Sequence, residues 1–287
     1  MGIHQVIANG SDVYQLTSSG KVRKFRGLNT DEHWEELDHD KSIVQLAAGK
    51  FLYSRRSTGQ IFMWNSNEAN WDMIDGAGDA EQIAATEYLI AKKTKNHKIC
   101  LYNGKEWPEL TMWAYGTGAL TSAVEILASN GILFTRAHCD GSDPFWYRYY
   151  GGAPFQGWRS ISGRSTDIIC GAAGENLWVG APKDDGMNVT VWRRRDTVDS
   201  YGYAYDQNVT NFHDLAKIAG GPAGVVALTK SGEVWLWLMG VHWRRLSADT
   251  SNQGIAVGDT FYVWNEDSGI YSWSGQGWTK LQAEIDD

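Results

Sequence analysis

Two sets of side chains in this chain have types and spacings that could do chemistry. The first is His138-Cys139-Asp140 with Asp143, a group of possible metal ligands, of which His138, Asp140 and Asp143, with Asp184 farther along, could act as acid or base. One His and one Cys beside scattered acids lack the spacing of a metal site, and the same residues make an ordinary polar loop. No metal, cofactor or catalytic residue is therefore assigned. The second set is aromatic, with 15 Trp and 13 Tyr. Aromatic faces stack on the C–H faces of sugar rings, and nearby acids or amides hydrogen-bond the hydroxyls. The candidate carbohydrate-binding residues are Trp64, Trp192, Trp237, Trp273, Trp113, Tyr115, Asp140, Asp143, Asp184 and Asp185. A Trp repeated for packing reads the same as one repeated for binding, so the elements that carry these residues decide between the two.

Those elements recur. An aromatic followed three positions later by Leu or Ile appears as Trp34/Leu37, Trp71/Ile74, Trp107/Leu110, Trp158/Ile161, Phe212/Leu215, Trp243/Leu246 and Trp278/Leu281. The intervals between the aromatics are 37, 36, 51, 54, 31 and 35 residues, so one unit repeats from end to end and is lengthened twice. Each unit also holds a run ending in small residues, such as Gln45-Leu46-Ala47-Ala48 or Gln82-Ile83-Ala84-Ala85. An apolar stretch follows, such as Phe51 to Tyr53 or Tyr88 to Ala91. A turn then leads into an apolar residue with an aromatic three places on, as in Gly59/Ile61/Trp64, Gly232/Val234/Trp237 and Gly269/Ile270/Trp273.

Short segments rich in β-branched and aromatic residues, separated by Gly, Asn, Asp and Ser, predict strands and turns. Four strands in each of seven units predict an all-β fold, a seven-bladed β-propeller of four-stranded antiparallel blades. The blades fall near residues 1–38, 39–76, 77–111, 112–162, 163–215, 216–247 and 248–287 of a single domain. Small residues suit the crowded inner strands and Trp the roomier outer ones. Read literally, the first and last blades meet by face packing of Trp, Leu and Val with no exchanged strand, while a shifted strand register would allow an exchange.

At 287 residues and 43% hydrophobic the chain can bury a continuous core. No apolar stretch approaches the roughly 20 residues that span a bilayer. The first residues lack the charged-then-apolar pattern of a secretion signal, so a cytoplasmic address without membrane insertion is expected. A formal charge of −8 argues against nucleic acid as a partner. Three cysteines without metal-type spacing imply no disulfide framework. No nucleophile elbow, zinc-protease helix, Walker loop or dinucleotide fingerprint is present.

The units resemble tectonin repeats, the building blocks of tectonin and tachylectin-type β-propeller lectins. The nearest stretches are Trp34 to Gly76 and Trp243 to Trp278, the latter ending Ser268-Gly269-Ile270-Tyr271-Ser272-Trp273-Ser274-Gly275-Gln276-Gly277-Trp278. Phe212 in place of Trp and the two enlarged blades depart from that pattern. The resemblance implies multivalent sugar binding, with glycans or glycoconjugates as partners; the lengthened stretch Arg193 to Thr210, with Tyr201, Tyr203 and Tyr205, could serve as a second ligand site or as the contact of a homo-oligomer.

Three readings follow: a lectin with sites spread over the repeats, a protein-interaction scaffold using the long loops, or an enzyme at the channel mouth formed by blades 3–5. Trp113 and Tyr115 from the link after blade three, His138, Asp140 and Asp143 from blade four, and Lys183, Asp184 and Asp185 from blade five are expected to share that mouth.

Overall fold

The repeated apolar stretches form strands because alternate side chains bury on opposite faces, and Gly-containing turns reverse the chain between them. The computed structural model describes residues 2–29, 33–115, 118–129, 132–139, 145–150, 157–160, 170–172, 178–182, 189–194, 205–212, 214–238, 242–266 and 268–281. Among the described residues the strands fall into seven sheets, each made of consecutive strands. The first holds β1 (Ile3–Asn9), β2 (Asp12–Thr17), β3 (Lys21–Phe25) and β4 (Trp34–His39), and the second β5 (Ile43–Ala48), β6 (Leu52–Arg56), β7 (Ile61–Asn65) and β8 (Asn70–Asp75). The third has only β9 (Ala80–Ala85), β10 (Ile90–Thr94) and β11 (Ile99–Leu101). The fourth has β12 (Trp113–Tyr115), β13 (Gly118–Ser129), β14 (Ile132–Cys139), β15 (Phe145–Tyr150) and β16 (Gly157–Ser160). The fifth holds β17 (Cys170–Ala172), β18 (Trp178–Pro182), β19 (Val189–Arg194) and β20 (Tyr205–Phe212). The sixth holds β21 (Leu215–Gly221), β22 (Gly224–Thr229), β23 (Val234–Leu238) and β24 (His242–Ser247). The seventh holds β25 (Gly254–Val257), β26 (Phe261–Asn265), β27 (Gly269–Trp273) and β28 (Trp278–Lys280).

Two sheets depart from the expected four strands. In the third, the segment carrying Trp107 and Leu110 adds only a bridge between Cys100 and Glu109. Pro108 stands in that segment and has no N–H to give to a ladder, although its carbonyl still accepts from Leu101 N at 3.2 Å. In the fourth, Trp113 and Tyr115 do not lie in a link. They form β12, which pairs antiparallel with β13 and parallel with β16, so five strands close a cycle of pairing.

The chain divides into two compact units. One comprises Met1–Ser42, Ile168–Arg193 and Asp206–Asp287, and within it the first strands β17, β21, β25 and β1 meet in that succession. The other comprises Ile43–Asp167 and Arg194–Tyr205, with the succession β5, β9, β13. Within each unit, hydrophobic core lies between neighbouring sheets. Ile3, Val6 and Val13 of the first sheet bury against Tyr262, Trp264 and Ile270 of the seventh. Among the described residues that contact is face packing without an exchanged strand, one of the two arrangements the sequence leaves open. Ala47, Tyr53 and Ile61 meet Ile83 and Ile90 in the same way.

The turn into each third strand explains three of the repeated glycines. Gly20, Gly59 and Gly232 have φ of +89°, +92° and +89°. A Cβ there would come within 2.4–2.6 Å of backbone atoms of Asp40, Gly78 and Thr250 respectively. Backbone conformation and backbone contact both demand glycine. In the third sheet His97 takes this place at φ +60°, and its carbonyl accepts from Ala123 N at 3.0 Å in β13.

The motif Trp residues join neighbouring sheets. Trp34 Nε1 donates to the Leu281 carbonyl at 2.8 Å, Trp107 Nε1 to Ile74 at 3.0 Å, and Trp278 Nε1 to Leu246 at 3.3 Å. In each case the acceptor is the Leu or Ile of the preceding unit's own motif. Trp107→Phe keeps a ring and loses the N–H, and is expected to lower stability by about 1 kcal/mol in denaturant unfolding, the worth of one buried hydrogen bond.

Candidate functional site

Three of the aromatic candidates, Trp64, Trp237 and Trp273, sit on third strands, and each of the three is engaged from within its own sheet. Trp64 packs on Trp71 with ring centroids 5.2 Å apart, Trp237 on Trp243 at 5.3 Å, and Trp273 on Trp278 at 5.1 Å. Phe25 and Trp34, Tyr102 and Trp107, and Tyr149 and Trp158 repeat the pairing at 5.0–5.2 Å. These are the cross-strand aromatic pairs that stabilise antiparallel sheets. Trp64, Trp237 and Trp273 are half-buried. Trp192 lies in β19 and Trp113 and Tyr115 in β12, with side chains outside the described residues, as are Asp140, Asp143, Asp184 and Asp185. His138 stands next to the buried Cys139 at the end of β14. Among the described residues no three His, Cys, Asp or Glu side chains converge where a metal could sit.

A second set of polar residues lines the first strands of the 43–167 unit. The β5–β6 pairing skips Val44 and the β9–β10 pairing skips Glu81, so each first strand carries a bulge beside its Gln. A bulge re-aims the neighbouring side chains. Gln45 reaches the next sheet, where Nε2 donates to Ile83 O at 2.9 Å and Oε1 accepts from Ile83 N at 3.1 Å. Gln82 repeats this on Ile126, at 3.0 and 2.9 Å. A primary amide holds a donor and an acceptor side by side, so it completes a strand edge as another backbone would. The repeated Gln45 and Gln82 were visible in sequence, but the task of the amide was not.

Opposite these residues in the pairing stand Arg55, Lys93 and, beside Glu125, Arg136. Lys93 Nζ donates to Glu81 Oε2 at 2.6 Å. The Glu81 carboxyl is held below the usual carboxylate range, first by that hydrogen bond, against a smaller burial effect, and then by the charges of Lys93, His97 and Arg55. Burial lowers the Arg55 pKa, with Glu81 opposing. Burial raises the Glu125 carboxyl, with Arg136 and Lys93 opposing. A carboxyl raised in the folded state loses stability as pH rises through and above 4.5, since ionisation then costs more folded than unfolded. Glu125→Gln is therefore expected to gain stability relative to wild type across that rise and to hold the advantage at neutral pH. Denaturant unfolding at pH 4 and pH 7 measures the difference.

At the opposite end of these strands the hairpins between first and second strands touch each other. Lys50 N donates to Thr86 O at 3.2 Å, Ala223 N to Gly258 O at 3.1 Å, and Asp259 N to Gly10 O at 2.8 Å. Gly49 and Gly258 permit the approach, since a Cβ would stand 2.1 Å from Thr86 O and 2.4 Å from Gly10 O. On two adjoining hairpins the repeat places Phe51, 42% exposed, and Tyr88, 77% exposed. The sequence puts both at the starts of strands. They lie instead in the hairpins, ahead of Leu52 and Ile90, with their rings turned outward. Lys50 Nζ stands 5.5 Å from the Phe51 ring centroid.

Antiparallel sheets, mostly four-stranded, stacked face to face through successive first strands, define a β-propeller fold. No family model matches the chain, and no curated protein matches it. Among solved structures the chain is similar to the β-propeller domain of Myceliophteria thermophila Cps50 (Swd1), at 14% identity over 95% of this chain and 99% of that one, with a TM-score of 0.62. It is similar to YCF48 from Cyanidioschyzon merolae, at 14% identity over 96% of each chain and a TM-score of 0.60, and a YCF48 structure bound to a D1 peptide also matches, at 0.61. A chain of the mitotic checkpoint complex matches at 10% identity over 93% of this chain and 87% of that one, with a TM-score of 0.61. At such identities the likeness is one of fold.

Proposed function

We propose that this chain is a protein-interaction scaffold built on seven propeller blades, and that the hairpin face carrying Phe51 and Tyr88 is a docking surface. The observation that carries this reading is the contrast between two groups of aromatics. The repeated Trp64, Trp237 and Trp273 are half-buried and packed on partners in their own sheets, whereas Tyr88 and, touching Tyr53 only edge-on at 6.3 Å, Phe51 project from adjoining hairpins. Exposed aromatics held on a rigid frame are the kind of residue that anchors a protein partner. The solved neighbours support it, because YCF48 matches in a peptide-bound form and the checkpoint chain belongs to a multiprotein assembly.

A lectin using the half-buried Trp faces is the competing reading, supported by the resemblance to tectonin repeats. One comparison separates them. Phe51→Ser with Tyr88→Ser is expected to leave unfolding within about 0.5 kcal/mol of wild type, as surface changes do. It is also expected to abolish capture of protein partners from an extract of the source organism. Release of captured material by free sugars, with binding undiminished in the double variant and clear signals on a glycan array, would decide for the lectin.

A further inference from the structure

A reactive pair of residues follows β11. Asn-Gly occurs in this chain at Asn9-Gly10, Asn103-Gly104 and Asn130-Gly131, and the last lies outside the described residues. In such a pair the backbone nitrogen of the glycine can attack the side-chain amide carbon of the asparagine, because no Cβ shields that nitrogen. Asn103 and Gly104 open an exposed turn, closed by Asn103 N donating to Glu106 O at 3.1 Å. Two backbone donors, Lys105 N at 3.0 Å and Glu106 N at 2.9 Å, converge on Asn103 Oδ1. That oxygen gains negative charge when the nitrogen adds, so the turn aims N–H groups where charge develops, as an oxyanion hole does. Gly104 has φ of +96°, and no atom lies within 4 Å of its Cβ position. Among the described residues neither its N–H nor Asn103 Nδ2 has a hydrogen-bond partner, so the attacking and leaving nitrogens are both free. Asn9-Gly10 is held differently. Asn9 is the last rung of the β1–β2 ladder, opposite Asp12, and Gly10 O accepts from Asp259 N at 2.8 Å.

We propose that Asn103 is a self-modifying site, converted through a cyclic imide to aspartate and isoaspartate by the turn that holds it. A bond forms between Gly104 N and Asn103 Cγ, the Cγ–Nδ2 bond breaks, and the proton of Gly104 N leaves on the ammonia. Water then opens the ring at either carbonyl, giving a carboxylate and, in the isoaspartate, one extra methylene in the backbone. Trp107 is the first residue past the turn and clamps Ile74 O through Nε1 at 3.0 Å, so the longer backbone loosens the join between the second and third sheets. None of this rests on the reading given to Phe51 and Tyr88. The test incubates the full folded chain at mildly alkaline pH and follows the Asn-Gly peptides by mass spectrometry, with isoaspartate scored by an isoaspartyl methyltransferase. The expected result is conversion of Asn103 ahead of Asn9, slowed about tenfold or more in Gly104→Ala, whose methyl crowds the attacking nitrogen and disfavours the +96° backbone. Circular dichroism confirms that this variant is folded. A comparison that needs no variant is conversion in the folded chain against chain unfolded by guanidinium. Asn103 is expected to convert no more slowly when folded, because unfolding removes the two donors to Oδ1. The converted chain is expected to unfold at lower urea than Asn103→Asp, which carries the charge without the added methylene. Asn9 converting ahead of Asn103, equal rates in wild type and folded Gly104→Ala, faster conversion in the unfolded chain, or a converted chain as stable as Asn103→Asp would overturn the proposal.

Discussion

Lys92→Ala is expected to destabilise the protein by about 3–5 kcal/mol, the cost of leaving a buried charge without its partner. Lys92 Nζ reaches Asp75 Oδ2 and Asp79 Oδ1, each at 2.6 Å, and the Lys92 and Asp75 side chains are only 4% and 6% exposed. Trp107 covers the ammonium from 5.4 Å. Burial by itself lowers the Lys92 pKa, but the two carboxylates outweigh it and hold the pKa above 10.5. The sign follows directly: a raised amine contributes stability in full below pH 10.5 and loses it as pH climbs through the folded value. Adding Asp75→Asn to Lys92→Met removes the stranded charge, so the double variant is expected to recover much of the loss seen in Lys92→Met alone. Urea titrations at pH 7 measure both. Equal stability of Lys92→Ala and wild type would contradict the pairing.

Gly49→Ala is expected to cost about 3 kcal/mol or more, at the upper end of what overpacking a tight contact does. The added methyl would meet Thr86 O at 2.1 Å and Thr86 C at 2.5 Å, both backbone atoms that cannot swing aside. One hairpin must move away from the other, and the hydrogen bond from Lys50 N to Thr86 O goes with it. Phe51 and Tyr88 ride on those two hairpins, so the same change should weaken partner capture as well as stability. Gly104→Ala is the control for cavity-free surface change, since no atom lies within 4 Å of its Cβ position, although its φ of +96° carries the ordinary strain of an L residue there.

Much of this architecture was legible because it repeats. The Trp-x-x-Leu/Ile landmarks mark fourth strands and supply clamps such as Trp107 to Ile74, and the Gly-to-aromatic turns mark third strands. Where single residues override the repeat, the sequence misleads. The Trp107/Leu110 landmark matches the repeat, yet Pro108 inside it lacks an N–H and the strand is reduced to one bridge. Trp113-Ala114-Tyr115 looks like a link because Gly116 and Gly118 follow it, yet it joins a ladder and pairs with β16, about 45 positions along the chain, which no local pattern reports. The apolar stretch read from Tyr88 to Ala91 stops short of Lys92 and Lys93, yet the strand runs on through both and buries them against carboxylates from other segments. The exposure of Phe51 and Tyr88 depends on where a hairpin begins, a boundary that alternation places only to within a residue or two.

We propose that this propeller meets its partners through projecting hairpin aromatics and keeps its repeated Trp residues for its own sheets. Site-resolved photocrosslinking tests it most directly, with p-benzoylphenylalanine placed at position 88 in one preparation and at position 237 in another, each irradiated in an extract of the source organism. The account predicts discrete protein adducts from position 88 and none from position 237. Adducts to glycoconjugates from position 237, with none from position 88, would contradict it.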